Sequence, residues 1–145
     1  MPRAGLKTWF LETRPQFLLL TPAVTFVGLG ALVHDQIPLN IPIFVLAFLG
    51  ALLAHISVNV LNDYYDYLSG IDLKTNRTPF SGGSGILVNG LLEPKKVYFL
   101  GVLCLVIDFI IMLYFYTFLG WPIICLGIAG FILTYFYTSY LTKIG

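Results

Sequence analysis

Residues 41–72 read IPIFVLAFLGALLAHISVNVLNDYYDYLSGID and combine a long apolar run with a polar cluster. Residues 41–61 are apolar apart from His55, Ser57 and Asn59, and at about 1.5 Å per residue they are long enough to cross a bilayer as a helix. Residues 62–72 then place an amide and three carboxylates at the end of this span. Charge is costly there, so such a cluster is typical of a site for a cation or a phosphate.

The polar side chains of this stretch share one helix face. With His55 set at 0° and about 100° per residue, Asn62 falls near −20°, Asp66 near +20°, Asn59 near +40° and Asp63 near +80°. All five therefore lie within about 100° of one face. A face of this kind can line a cavity while the rest of the helix meets lipid or other helices.

The composition predicts an all-α, polytopic transmembrane helix bundle. The chain is 58% hydrophobic and 10% charged, and its mean hydropathy of +0.88 is too high for a water-soluble domain. We expect four spans in a single domain, with a connection over residues 67–96, and Glu93-Pro94 suits the opening of the third span. The predicted spans are residues 17–33, 41–66, 97–119 and 121–141.

The basic residues predict the orientation. All eight Lys and Arg residues precede span one, lie between spans two and three, or follow span four. The positive-inside rule therefore places the N-terminus, residue 145 and the acidic cluster on the cytoplasmic side. We expect the charged N-terminal residues to form an interfacial lead-in rather than a cleavable signal. The net charge of +1 argues against a nucleic-acid partner.

The connection between spans two and three is the predicted functional part of the chain. It carries the acidic cluster, then Lys74, Asn76 and Arg77, and then the run Ser-Gly-Gly-Ser-Gly at residues 81–85. Acidic oxygens suit Mg²⁺, which shares its coordination shell with water and substrate phosphate, and basic side chains can take the remaining phosphate charge. The glycines either let backbone N–H groups approach an anion or form a flexible hinge.

These motifs resemble those of the UbiA superfamily of intramembrane prenyltransferases. The resemblance rests on Asn62-Asp63-Tyr64-Tyr65-Asp66 with Asp72, on Asn76-Arg77-Thr78-Pro79, on Arg14-Pro15 and on Tyr137-Thr138. It implies a nine-helix fold and Mg²⁺-dependent transfer of a prenyl group from an isoprenoid diphosphate to an acceptor, often an aromatic ring. The lipid bilayer would hold the prenyl chain.

The resemblance departs from the common pattern at two points. Position 70 is Gly where a third Asp is usual, and the form Ser69-Gly70-Ile71-Asp72 is similar to the menaquinone-pathway branch, whose acceptor is 1,4-dihydroxy-2-naphthoate. The family's second aspartate-rich motif is missing, because no acidic residue follows Asp108. We therefore expect these 145 residues to be the N-terminal part of the domain, inactive when isolated, with the coding frame continuing beyond Gly145.

The resemblance also implies roles for individual residues. The catalytic set would be Asn62, Asp63, Asp66 and Asp72, of which Asn62, Asp66 and Asp72 would bind the metal. The substrate diphosphate would contact Arg77, Lys74, Asn76 and Arg14. The pocket for the carbocation or the acceptor would include Tyr137, Asn59 and His55.

Other functions stay open at this point. Another UbiA-type acceptor, such as 4-hydroxybenzoate, haem or a glycerol phosphate, is the nearest alternative. A cation transporter would use the polar face of span two together with Asp108, and a phospholipid-binding module would use the loop without catalysis. Few polar groups occur in spans one and four, which disfavours the transporter. The sequence leaves the acceptor, the prenyl chain length and the oligomeric state undetermined.

Overall fold

The structure is a computed structural model that describes residues 5–78 and 83–139, with side chains up to residue 133. This part of the chain is helical, as predicted. Its helices are α1 Leu6–Glu12, α2 Pro15–Leu18, α3 Leu20–His34, α4 Ile41–Ser69, α5 Pro94–Leu119 and α6 Trp121–Ser139. Within it, Pro15–His34, Ile41–Ser69 and Pro94–Leu119 are long and apolar enough to cross a membrane. The shorter apolar stretch Trp121–Leu133 belongs to α6, so the predicted transmembrane bundle is confirmed as a fold class.

The helix ends differ by two or three residues from three of the predicted span boundaries. Span one begins at Pro15 and is divided into α2 and α3 at Leu19. Helix α4 continues to Ser69 and therefore carries Asp66 within the helix, because the first residue that favours termination is Gly70, with φ of +77°. Helix α5 begins at Pro94 after Glu93, which confirms the predicted opening. The connection is thus shorter than expected and covers residues 70–93.

Helix α4 is the centre of the bundle and packs along α5, with further contacts to α3 and α6. Ser57 Oγ donates a hydrogen bond to the carbonyl of Gly101 at 2.9 Å. A Cβ at position 101 would lie 2.7 Å from Cγ of Leu61, so glycine is needed for this approach of α5 to α4. Most of the large apolar side chains on the remaining helix surfaces are exposed, as expected for helices that face lipid.

The connection folds back onto the helices at the end where α4 finishes and α5 starts, which we call the loop end. Its Ile86, Leu87 and Leu92 are buried together with Val60 of α4 and Val97 of α5. Trp9, Tyr64 and Tyr67 pack against this cluster. Tyr64 and Tyr67 therefore help to pack the loop against the helices. Because the loop contributes to a hydrophobic core, its packing against the helices fixes the positions of its polar residues.

Candidate functional site

The polar residues at the loop end come from three separate parts of the chain. Asn62, Asp63 and Asp66 lie on the last turns of α4, and the turn after Gly70 brings in Asp72. Arg14 comes from the segment that joins α1 to α2. The site is therefore built by folding both flanking segments onto one helix end.

Arg14 is buried and held in an unusual backbone conformation. Its φ of 55° and ψ of 62° lie in the left-handed region, and the next residue, Pro15, starts α2. Its Nη1 donates a hydrogen bond to Oδ1 of Asn62 at 3.3 Å, and its guanidinium carbon lies 4.6 Å from the ring centroid of Phe17. Its Nε is buried and has no hydrogen-bond partner in the described part of the chain. Left-handed conformations of non-glycine residues cluster at functional sites.

Asp66 and Asp72 interact electrostatically with this guanidinium. Oδ1 of Asp66 is also buried without a hydrogen-bond partner among the described residues. The pKa of Asp72 is raised, chiefly by burial and also by the nearby charge of Asp63, while the positive charges of Arg14 and Arg77 oppose this shift. The side chain of Asn62 hydrogen-bonds Asp66 as well as Arg14. The site therefore contains an unsatisfied acceptor and an unsatisfied donor close to several interacting charges.

The glycine segment, residues 83–85, lies against these side chains. Gly83 and Gly85 have φ of +70° and +73°, which favours glycine. A Cβ at position 83 would lie 2.8 Å from Cγ of Asp72, and a Cβ at position 85 would lie 2.6 Å from Cζ of Arg77. The glycines thus allow the backbone to border both an acid and a guanidinium, which gives them a defined role beyond that of a hinge.

Asp63 fixes the glycine segment. It is 1% exposed, and its Oδ1 accepts a hydrogen bond from the backbone N–H of Ser84. Its Oδ2 lies 2.8 Å from Oγ of Ser84, which is also 2.9 Å from Oε2 of Glu12 and accepts from the N–H of Ile86 at 2.9 Å. Both oxygens of Asp63 are thus used for structure, and this carboxylate supports the site from behind.

Sequence reasoning missed Glu12 and Ser84. Glu12 is completely buried at the end of α1. Burial and the charge of Asp63 raise its pKa to about 8, so it is mostly protonated at neutral pH. The available signals were a carboxylate two residues before Arg14-Pro15 and a serine inside the glycine run. Neither indicates the other, because the pair is 72 residues apart.

The acids fit a metal ion that is coordinated jointly by the protein and a bound ligand better than one coordinated by protein side chains alone. In the described part of the chain, no group of three or more His, Cys, Asp or Glu side chains is arranged to hold a metal ion. Asp66, with its open Oδ1, and Asp72 provide hard oxygen donors. Mg²⁺ typically takes one or two carboxylates and fills its shell with water and substrate phosphate. The donor set therefore fits a hard divalent cation that shares its coordination with a phosphorylated ligand.

The predicted phosphate-binding residues divide into two groups. Arg14 and Arg77 lie at the site, since Arg14 contacts Asn62 and Arg77 lies beside Gly85. Lys74 and Asn76 are exposed on the turn after Asp72. Neither shares a hydrogen bond or ion pair with the buried described residues of the site.

His55 and Asn59, two of the predicted pocket residues, have structural partners among the described residues. His55 Nδ1 lies 2.9 Å from Oγ1 of Thr21, and Asn59 Nδ2 donates to the carbonyl of Thr13 at 3.0 Å. The first contact attaches α3 to the polar face of α4, and the second attaches the segment between α1 and α2 to the same face. The side chain of Tyr137 lies outside the described residues, so the pocket assignment stays a prediction.

A separate apolar groove lies between α4, α5 and α6. It has a volume of about 640 Å³ and includes Asp108 among mainly aliphatic and aromatic lining residues. Oδ1 of Asp108 would be 3.2 Å from a Cβ at Gly50 of α4. Asp108 lies fourteen residues after Pro94, or about 21 Å along α5. It is therefore remote from the acids at the loop end.

Comparison with known proteins assigns the family. The sequence model of the UbiA prenyltransferase family matches residues 22–145. This range includes α4 with its acids, the glycine segment and Arg77, and it leaves out α1 and Arg14. No curated protein and no solved structure matches the chain. With most of its length matched and three apolar helices long enough to cross a bilayer, the chain is an integral membrane protein that belongs to the UbiA prenyltransferase family.

Proposed function

We propose that the protein transfers a polyprenyl group from a prenyl diphosphate to an aromatic acceptor, with Mg²⁺ as cofactor and 1,4-dihydroxy-2-naphthoate as the acceptor. The observation that carries this proposal is that Oδ1 of Asp66 and Nε of Arg14 are two of the three buried side-chain atoms without a hydrogen-bond partner in the described part of the chain. A buried acceptor and a buried donor without partners are costly unless a ligand satisfies both. A diphosphate with its divalent cation does so, because it offers an anion to Arg14 and a cation to Asp66.

The diphosphate would be held from two sides. Arg14 approaches from the N-terminal segment, and Arg77 approaches beside Gly85. Charge-assisted hydrogen bonds from guanidinium groups are strong and geometrically specific for phosphate. Lys74 and Asn76 are exposed nearby and would add charge and hydrogen bonding at the rim. The backbone of residues 83–85 supports the site, because residues without Cβ atoms permit close approach.

Asp66 and Asp72 would hold the metal, with Asn62 as the third ligand. In the structure Oδ1 of Asn62 accepts from Arg14, so ligation by Asn62 requires the guanidinium to turn toward the substrate. A bound divalent cation would neutralise part of the charge on the departing diphosphate. Asp63 would keep the loop in register while these groups bind their ligands.

The reaction begins when the allylic C–O bond breaks and both electrons leave with the diphosphate. Arg14 and Arg77 stabilise the negative charge that grows on this group, which lowers the barrier where charge develops. A ring carbon of the acceptor then forms a bond to the allylic cation, and the proton on that carbon passes to the released diphosphate. Tyr137 would shelter the cation through its ring face. His55 and Asn59 would border the acceptor through the same polar face of α4.

A membrane location suits this chemistry because the polyprenyl chain is apolar. The exposed apolar helix surfaces let the polyprenyl chain remain in lipid while its diphosphate lies at the loop end. The distribution of basic residues supports a cytoplasmic location for that end. Cation transport is disfavoured by the groove around Asp108, whose described lining contains no second charged side chain.

Asp66→Asn tests the proposal. The isostere keeps the shape of the side chain but removes a charged ligand, so insertion should be preserved and transfer should fall by about 100-fold or more. The measurement is transfer of a labelled prenyl chain to 1,4-dihydroxy-2-naphthoate, in membranes that contain the protein encoded by the complete reading frame. The matched control is Asp35→Asn, at the exposed C-terminal end of α3, which should transfer at the parent rate. Parent rates for Asp66→Asn across Mg²⁺ concentrations would refute the assigned role.

A further inference from the structure

Glu12 is a completely buried acid in a helix that lies outside the part of the chain matched by the family. Helix α1 has seven residues, of which Leu6 and Phe10 are exposed while Trp9 packs on the core cluster. Glu12 is its last residue, and its side chain points to Ser84 and Asp63. A buried carboxyl in this position needs a structural or functional reason.

The hydrogen bonds around Ser84 indicate that the Glu12 carboxyl group carries a proton. Ser84 Oγ lies within 2.9 Å of Glu12, Asp63 and the N–H of Ile86, but a hydroxyl has only one proton to donate. Asp63 also accepts a hydrogen bond from the backbone N–H of Ser84 through its other oxygen, Oδ1. If Ser84 donates its proton to Asp63, Glu12 can complete the set only as a neutral acid that donates to Ser84 or Asp63.

The carboxyl pair supports the same assignment. Oε2 of Glu12 and Oδ2 of Asp63 lie 2.9 Å and 2.8 Å from the same Ser84 hydroxyl, and Oε1 of Glu12 is buried without a hydrogen-bond partner in the described part of the chain. Two buried negative charges in contact would also repel strongly. A single proton on Glu12 removes the repulsion and supplies the missing donor.

This network leads directly to the site. Ser84 lies between Gly83, which borders Asp72, and Gly85, which borders Arg77. A shift of Ser84 would therefore move the backbone next to both a proposed metal ligand and a proposed phosphate ligand. The N-terminal helix thereby gains a mechanical connection to the site through one side chain.

We propose that Glu12, as a neutral acid, is a positioning residue that holds the glycine segment against Asp72 and Arg77. The assignment rests on the proposed function for the identity of the ligand, the prenyl diphosphate. Glu12 itself touches neither the substrate nor the metal. Its effect passes through Ser84.

The test compares Glu12→Gln with Glu12→Met in the protein encoded by the complete reading frame. Glutamine is neutral and can donate, so it should preserve amide hydrogen exchange in residues 83–92 and the KM for prenyl diphosphate within about twofold. Methionine has a similar length but cannot donate. It should speed exchange of the Ser84 and Ile86 amides about tenfold and raise the KM for prenyl diphosphate by a similar factor, with the KM for the acceptor unchanged.

Ser57→Ala is the matched control, because it removes a different buried hydrogen bond, between α4 and α5. It should lower the Tm without changing exchange in residues 83–92 or either KM. If Glu12→Met fails to insert, Ser84→Ala removes the same network from the loop side and should give the same two changes. Hydrogen exchange can be measured whether or not the protein is active. If exchange is faster in Glu12→Met but the parent protein transfers no prenyl group, the proposed function is refuted and the positioning role of Glu12 is retained. Unchanged exchange in Glu12→Met, or a glutamine variant as impaired as the methionine variant, would overturn the inference.

Discussion

Replacement of Gly83 by alanine should impair the site by displacing one carboxylate. A Cβ at this position would lie 2.8 Å from Cγ of Asp72 and 2.9 Å from Oδ1 of Asp63, both shorter than ordinary van der Waals contact. Asp63 is held by two hydrogen bonds from Ser84, so the Asp72 side chain is the group that must move, by about 1 Å. A misplacement of about 1 Å in a positioned group lowers activity by about 100-fold, which is the loss in kcat/KM that we expect.

Gly90→Ala provides the matched control. Gly90 has φ of +65°, close to that of Gly83, but nothing lies within 4 Å of its ideal Cβ. Both variants therefore carry the same left-handed strain of about 1 kcal/mol, and only Gly83→Ala displaces a carboxylate. Initial rates of prenyl transfer should be measured in membranes over a range of prenyl diphosphate concentrations, with each rate normalised to the amount of inserted protein. Equal losses in the two variants would show that backbone strain, rather than the position of Asp72, controls activity, and the reasoning would be refuted.

Two further predictions use other groups. Arg77→Ala should raise the KM for prenyl diphosphate about tenfold or more, because a charge-assisted contact is lost. Asp108→Asn should change prenyl transfer little, since Asp108 is about 21 Å along α5 from the loop end. A larger loss of transfer in Asp108→Asn than in Arg77→Ala, measured in one membrane preparation, would contradict the site assignment. The stability of the protein in detergent should fall as pH rises from the ordinary Glu pKa of 4.5 to about 8, because the folded chain keeps a proton on Glu12, beside Asp63 and Arg14, that the unfolded chain releases. Glu12 contributes at most about 1.4 kcal/mol per pH unit to the slope of the unfolding free energy against pH. Thermal unfolding of Glu12→Gln across the same pH range should therefore show a flatter profile than the parent. An identical slope in the two proteins would contradict this prediction.

The sequence was sufficient for the membrane class and for the polar face of α4. Hydropathy and helical periodicity depend on local residues, and both the long apolar helix and the alignment of Asn62 with Asp66 follow from them. The partners of that face could not be predicted, because they depend on how distant segments fold together. His55 contacts α3 and Asn59 contacts the segment between α1 and α2, although the pattern alone was equally consistent with an open cavity.

The candidate site shows the same division. Asp66, Asp72, Arg14 and Arg77 could be singled out from charge at the end of a span and from motif resemblance. The role of Glu12 could not, since its burial depends on a contact 72 residues away in the chain. The glycine run suggested flexibility as readily as close approach, and only the positions of Asp72 and Arg77 beside Gly83 and Gly85 distinguish the two.

The most direct test of the central claim is the balance between prenylated product and released diphosphate. Proteoliposomes that contain the protein encoded by the complete reading frame would receive a labelled prenyl diphosphate and 1,4-dihydroxy-2-naphthoate. We expect equimolar prenylated naphthoate and diphosphate, loss of both on chelation of divalent cations, and recovery of both when Mg²⁺ is added back. Intact prenyl diphosphate and no prenylated product in the presence of Mg²⁺ would contradict it.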